Sequence, residues 1–366
     1  MDDKEYLAEL RKSIDDIDLN IVELLNRRAT IAKDIGEIKR KLGEKPFVFA
    51  REVEIYEKLK SLNSGPLSND TLKNIFREII SACRSIQEPI KIFYLGPAGT
   101  FTNLAAIQYF GMSSIFVPQN TIKEIFDEVE RDRASFGVVP IENSLEGVVA
   151  HSIDMFFETD LKICGEVYIR VSHNLLNKSG DIKKIKKIYS HPHAIAQCRK
   201  FLSKKLKDIP IIEVESTAKA AALASHDENV GAIASKAAAL IYDLQIVCSE
   251  IEDDLHNYTR FIILGHADQP MSENNLENSK TSLMFSVAHK AGSLYKALEI
   301  FAMYDINMSK IESRPSKRKP WDYMFFVDIL GHSDMKKIKD AIAELTERVS
   351  FMKILGSYKQ GEINGL

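Results

Sequence analysis

From Tyr6 to Lys41 the apolar residues of this chain recur every three or four positions: Leu7, Leu10, Ile14, Ile17, Ile21, Leu24, Leu25, Ile31, Ile35 and Ile38. This rhythm predicts one amphipathic helix, with no proline before Pro46 to interrupt it. Such a helix would run ~50 Å, and an apolar stripe of that length needs a partner all along it. Shorter helices are predicted near 50–62 and 69–86, the second opened by the cap signal Ser68-Asn69-Asp70. Helices so unequal cannot cover the long one within residues 1–88, so an intertwined homodimer or a higher homo-oligomer is expected.

Past Gln87-Glu88-Pro89 the period changes. IKIFYLG (90–96), FGVVPIE, KICGEVYI, KIYSH, IIEVES, VGAIAS and RFIILG read as strands, and 102–110, 121–130, 193–206, 217–226 and 235–241 read as helices between them. The alternation predicts an α/β domain over 90–268 with a largely parallel sheet. The polar run HADQPMSENNLENSK (266–280) places a linker at 269–280. Over 281–360 the pattern is strand, helix (292–303), strands near 306–314 and 322–330, helix (334–347) and strand (351–358), the βαββαβ order of an α+β ferredoxin-like unit.

Composition narrows the function. A chain of 366 residues, 45% apolar and 28% charged, is an ordinary soluble protein of two or three domains. A net charge of −3 gives no basic field for nucleic acid. No apolar stretch is long enough for a bilayer, and the start MDDKEYLAELRK has no signal character, so a cytoplasmic protein without membrane partners is expected. The four cysteines stand far apart with no CxxC, which fits reduced thiols better than disulfides or zinc. No cofactor motif is present, and neither a cofactor nor a metal is expected.

The first segment carries spaced cations. Arg28 and Lys39 are ~16 Å apart along the helix axis and about 20° apart in phase, so they share a face and a small anion fits between them. Arg11 is ~25 Å from Arg28 on the same helix, out of reach in its own chain but within reach from an antiparallel partner. Taken singly, each reads as a solvated helix charge. Together with LRKSIDDID (10–18), LLNRRATIAKDIGEIK (24–39), ARE (50–52) and IISACRSIQ (79–87), they make residues 1–88 similar to the all-helical chorismate mutase family. The resemblance implies a pericyclic rearrangement of chorismate to prephenate, driven by conformer selection and placed charge. It implies that Arg11 of a partner chain and Arg28 hold carboxylates, that Lys39 and Gln87 face the ether oxygen, that Glu52 accepts from the ring hydroxyl, and that Arg51 lies beside the site. Val48 stands where the family has an aspartate and Cys83 where it has a serine, which implies altered affinity rather than lost activity. The absence of histidine from 1–88 suits chemistry without a proton shuttle.

In the middle segment, polar groups gather at strand ends: GPAGTFTN (96–103) with Thr100, VVPIENSLEGVV (138–149) with Glu142, Asn143 and Ser144, SHPHAIAQC (190–198) with Ser190, His191 and Gln197, and ESTAKAA (215–221) with Ser216 and Thr217. Strand ends of such a sheet form ligand crevices; each motif is also readable as a plain turn or helix cap. No GxGxxG or Walker spacing supports a nucleotide. With NYTRF (257–261), these motifs in this order closely resemble prephenate dehydratase. That family decarboxylates prephenate and expels its ring hydroxyl, giving phenylpyruvate. The resemblance implies two periplasmic-binding-protein-like lobes with the site between them, Thr259 as donor to the departing hydroxyl, and substrate contacts among the residues above with Arg260 and Phe261. Glu142 is open between orienting neighbours and assisting departure, and Arg260 between anchoring a carboxylate and structuring the cleft.

The last segment holds KAGSLYKAL (290–298) and IESRPS (311–316). These resemble the ACT module that carries phenylalanine inhibition in the dehydratase family. The resemblance implies an effector site of Gly292, Ser293 and Leu294 with Glu312, Ser313, Arg314 and Pro315, shared between paired modules; Tyr295 is bulkier than the family's usual valine. Two other readings stay open on residues alone: a dehydratase whose helical domain only dimerises, and a non-catalytic amino-acid sensor.

Overall fold

A computed structural model describes residues 2–43, 49–266, 271, 275–315 and 323–363. The chain forms two compact units, residues 1–90 with 110–115, and residues 91–109 with 116–366.

The first unit is helical: α1 (Asp3–Leu42), α2 (Phe49–Leu62) and α3 (Asn69–Gln87). A reciprocal capping box between Asp2 and Glu5 starts α1, and Gly43 ends it at φ 68°. Ser68 caps α3 by accepting from the Thr71 N–H. Toward its C-terminal end α1 buries Ala32 and Gly36. At Gly36 a Cβ would stand 3.0 Å from the Cβ of Gln87, so the glycine makes room for the last residue of α3. Leu7, Leu10, Ile14, Ile17 and Ile21 remain exposed.

The second unit opens with β1 (Lys91–Leu95), α4 (Phe101–Phe110), β2 (Ile115–Gln119), α5 (Ile122–Arg131), β3 (Phe136–Asn143), β4 (Gly147–Val148), α6 (Ala150–Met155) and β5 (Lys162–Arg170). It continues through β6 (Asn174–Asn177), β7 (Lys187–Ser190), α7 (Pro192–Gln197), α8 (Arg199–Lys205), β8 (Ile211–Glu213), α9 (Thr217–Ala224), β9 (Val230–Ala234), α10 (Lys236–Ile241), β10 (Gln245–Cys248) and β11 (Tyr258–Gly265). The expected largely parallel sheet is in fact two mixed sheets, ordered β2-β1-β3-β11-β5 and β10-β6-β9-β7-β8. The reason is that β11 returns after the second lobe and enters the first sheet antiparallel to both β3 and β5. The helix expected over 193–206 is divided at Cys198. The short strands β2, β6 and β10 and the helix α6 lie in stretches whose patterns were too short to read.

The C-terminal part has β12 (Ser279–Ser286), α11 (Ser293–Met303), β13 (Met308–Pro315), β14 (Tyr323–Leu330), α12 (Lys336–Arg348) and β15 (Phe351–Lys359), in sheet order β13-β14-β12-β15. The expected linker is described only at 271 and 275–280, and its last two residues already belong to β12. One face of this sheet, with Leu283, Phe285, Val327 and Ile329, packs in one core with Ile300 of α11 and Leu345 of α12. The other face sends Met284, Met324 and Phe326 into the same core as Phe126, Ile141 and Ile262. The C-terminal sheet therefore lies directly on the first sheet of the α/β domain. Backbones touch at Gly356, whose φ is 152° and whose absent Cβ would overlap the Ile163 carbonyl. Gly356→Ala is expected to cost about 1–3 kcal/mol through this overlap. Thermal denaturation checks it, and an unchanged midpoint would mean that the two backbones are not in contact there.

Candidate active sites

In the helical unit a cavity of about 280 Å³ is lined by Arg28 and Lys39 of α1, Arg51 and Glu52 of α2, and Cys83 and Gln87 of α3. Its apolar wall is Ile31, Ile35, Ile55 and Ile80. Three helices thus bring together six of the residues that the sequence singled out there. Arg11 stands on α1, exposed and outside this lining. Val48 lies outside the described residues. Arg51 lines the rim and pairs with Glu54 at 2.8 Å. The structure adds Arg84, which sequence reading passed over. Its Nη1 donates to Glu52 Oε1 at 2.8 Å, and its Nη2 donates to the Phe110 carbonyl and the Ser114 hydroxyl. Burial pushes the Glu52 carboxyl above the usual carboxylate range, while Arg84 and, more weakly, Arg28 pull it back.

In the α/β domain the centre is Thr259, on β11 between Asn143 of β3 and Ile169 of β5. Asn143 Oδ1 accepts from the N–H groups of Leu145 and Glu146, both at 3.0 Å. Its amide nitrogen therefore faces the other way, donating to Asn257 Oδ1 at 2.7 Å and to Thr259 Oγ1 at 2.9 Å. Because Thr259 accepts here, its own proton remains to be donated, and no acceptor for it is found among the described residues. Gln197 extends the chain: its Oε1 accepts from Asn257 at 3.0 Å and lies 2.9 Å from His173 Nε2, and its amide donates to Glu146 at 2.9 Å. Since Gln197 presents an oxygen, His173 carries its proton on Nε2. Its buried Nδ1 is unpartnered among the described residues, and burial lowers its pKa.

Other predicted contacts are placed differently. Arg260 turns away from Thr259. It is 4% exposed and bonds Glu166 at 2.7 Å, Asp328 at 2.5 Å and Tyr358 at 3.0 Å, which favours the structural of its two readings. Phe261 is core. Ser190 is fully buried and donates to the Ile233 carbonyl. Thr100 donates to the Leu95 carbonyl and caps α4 through the Asn103 N–H. Ser144 ties its turn to β11 through His256 and Tyr258. Glu142 pairs with Lys310 of β13 at 2.7 Å. His191 and Ser216 are the N-caps of α7 and α9, and Thr217 begins α9. Asn257 was legible as a second polar group two residues before Thr259; His173, Glu146 and His193, whose ring pairs with Glu146, carry no sequence signal of their own.

A second cavity, of about 360 Å³, lies at the start of α11 and is lined by Val287–Ala291, Leu294, Tyr323 and Phe325. Gly292 caps α11 at φ 80°, followed by Ser293. On β13, Ser313 and Pro315 lie opposite Phe325 and Tyr323 and share their face. Glu312 and Arg314 occupy the other face, where Arg314 pairs with Asp154 of α6 at 3.1 Å.

Family models match residues 10–88 as chorismate mutase type II, 92–269 as prephenate dehydratase and 281–347 as an ACT domain. A bifunctional chorismate mutase/prephenate dehydratase of Aquifex aeolicus is 49% identical, over 97% of this chain and 98% of its own length. The chain belongs to the bifunctional chorismate mutase/prephenate dehydratase family. The corresponding protein of Escherichia coli K12 is 30% identical over 98% and 97% of the two chains. Among solved structures, prephenate dehydratase of Arthrobacter aurescens in complex with L-Phe is 29% identical, covering 74% of this chain and 90% of that one at a TM-score of 0.68. The present chain, matched by both family models, is an enzyme that rearranges chorismate to prephenate and dehydrates prephenate to phenylpyruvate. In the helical cavity Arg84 bonds one oxygen of Glu52. Removing its charge makes Glu52 easier to protonate, so in Arg84→Met the acid limb of mutase activity should move to higher pH. Arg84→Lys should reverse part of the move. A pH–rate profile decides, and an unmoved limb would separate Arg84 from the state of Glu52.

Proposed function

We propose that each activity uses the residues gathered above and that phenylalanine acts through the C-terminal cavity. In the mutase site Arg28 holds a chorismate carboxylate. Lys39 and Gln87 donate to the ether oxygen as its bond breaks, and Glu52 accepts from the ring hydroxyl. Their common lining of one apolar-walled cavity supports this, because donors fixed before reaction need no reorganisation as charge develops. Arg11 is supplied by a second copy. The stripe on α1, with Ile14 57% and Ile17 56% exposed, supports a homodimer at least, since an unpartnered apolar face of this length is not stable in water.

In the dehydratase site the electron pair of the bond to the departing carboxylate moves into the ring as hydroxide leaves. Thr259 donates to that hydroxide. The observation that carries this reading is the direction of the Asn143–Thr259 bond: Asn143 gives, so Thr259 can give only outward. Asn257, Gln197 and His173 hold this polarity, and His191, Ser216 and Thr217 at two helix starts are offered to the substrate. Domain borders at 1–88, 90–268 and 281–360 follow from the same assignment. The effector cavity takes phenylalanine against Leu294, with Gly292 and Ser293 at the helix start and Ser313 and Pro315 on the adjoining strand. Four free cysteines and the lack of a helix long and apolar enough to cross a membrane among the described residues are consistent with a cytoplasmic enzyme.

Thr259→Ala is expected to lower dehydratase kcat by about 10²–10³, the usual loss for one donor to developing charge, while mutase turnover persists. Arg28→Ala should do the reverse. Parallel assays on chorismate and prephenate check both, and equal loss of the two activities in either variant would mean that the sites are misassigned.

A further inference from the structure

Strand β13 carries the Glu312-Ser313-Arg314-Pro315 motif, and its two faces look in different directions. Ser313 and Pro315 share a face with the effector cavity. Lys310, Glu312 and Arg314 alternate onto the other face, the one laid on the catalytic sheet. Two of these are cations, and both are used there. Lys310 Nζ meets Glu142 Oε1 at 2.7 Å with its side chain only 8% exposed, and Arg314 meets Asp154. Glu142 and Asp154 lie within one continuous catalytic segment: Glu142 pairs in register with Val148 of β4, and α6 with Asp154 follows at once. Glu142 is also the chain neighbour of Asn143, whose amide polarises Thr259.

We propose that Lys310 is a positioning residue of the dehydratase site, supplied by the regulatory domain, and that the Lys310–Glu142 pair is the contact through which the effector-binding strand acts on Thr259. This rests on the placement of phenylalanine and of Thr259 given above. The physical basis is alternation along one strand. A ligand that shifts β13 from its cavity face moves Lys310 and Arg314 on the opposite face by the same rigid displacement. Glu142 follows its partner, and Asn143 follows Glu142 through one peptide bond. A small shift suffices, because the Asn143–Thr259 bond weakens steeply once its alignment is lost. The lysine end of this pair is buried, so it is screened less than a pair exposed at both ends.

The test is Lys310→Met in the full chain, assayed on prephenate across a range of phenylalanine, with phenylalanine binding measured separately by calorimetry. Inhibition should require about tenfold more phenylalanine or beyond, while the binding constant stays within about twofold. Dehydratase kcat should fall by a few-fold with KM near the wild-type value, and Lys310→Arg should restore both kcat and inhibition. Mutase turnover reports that the chain is folded. Inhibition of Lys310→Met at the wild-type concentration overturns the assignment, as does a parallel loss of binding and inhibition, or a failure of arginine to restore what methionine removed. A wild-type enzyme that binds no phenylalanine would instead overturn the effector reading of the cavity, and the kcat loss with its arginine rescue would then decide the role of Lys310 alone.

Discussion

Four charged side chains, Arg260, Glu166, Lys280 and Asp328, meet out of water between the catalytic sheet and the C-terminal sheet, each less than one-tenth exposed. Burying an ion costs several kcal/mol unless partners replace its water. Here the replacement is complete: two cations face two carboxylates, Lys280 binds both oxygens of Glu166 at 2.8 and 3.0 Å, and Ser282 and Tyr358 supply further bonds. Burial alone would favour neutral Arg260, but Asp328, Tyr358 and Glu166 around it raise its pKa well above the ordinary value. Such a cluster contributes less to net stability than to uniqueness, since any other register of the two sheets would strand a charge. That constraint fixes where the regulatory strands lie on the catalytic ones.

The strand β11 passes through this constraint and the proposed reaction centre in successive residues. Thr259 stands on one face of the sheet, bonded to Asn143, and Arg260 on the other, bonded to Asp328 of β14. The Thr-Arg-Phe motif is therefore three positions with three surroundings: a hydroxyl held by Asn143, a guanidinium at the domain junction, and a phenylalanine in the core. Because β11 is hydrogen-bonded on both sides, the threonine cannot be displaced without disturbing β3 and β5. Its precision derives from a central strand rather than from a loop.

The mutase site is built differently. Arg28, Lys39 and Gln87 project from α1 and α3 into one cavity. Glycine at position 36 admits Gln87, and Arg84 holds Glu52 from behind. One unit thus places its polar groups by helix phase and the other by strand alternation.

Helix phase is why the sequence alone determined so much of the first unit. Arg28 and Lys39 share a face by arithmetic, and six of the marked residues do line one cavity. The βαββαβ order of the last segment, and the motifs that assign the family, were equally legible because they are local. Tertiary structure alone decided that the α/β domain holds two mixed sheets, because only a strand arriving from the other lobe could reverse direction beside β3. It alone gave Thr259 and Arg260 separate partners, and withdrew Ser190, Thr100 and Ser144 into backbone bonding, since a hydroxyl's partner is set by what folds against it. It also disclosed Arg84, His173 and Lys310, whose partners Glu52, Gln197 and Glu142 lie 32, 24 and 168 residues away. A charge or a ring nitrogen carries no mark of its partner in the chain; the partner exists only once burial removes the water that would otherwise take its place.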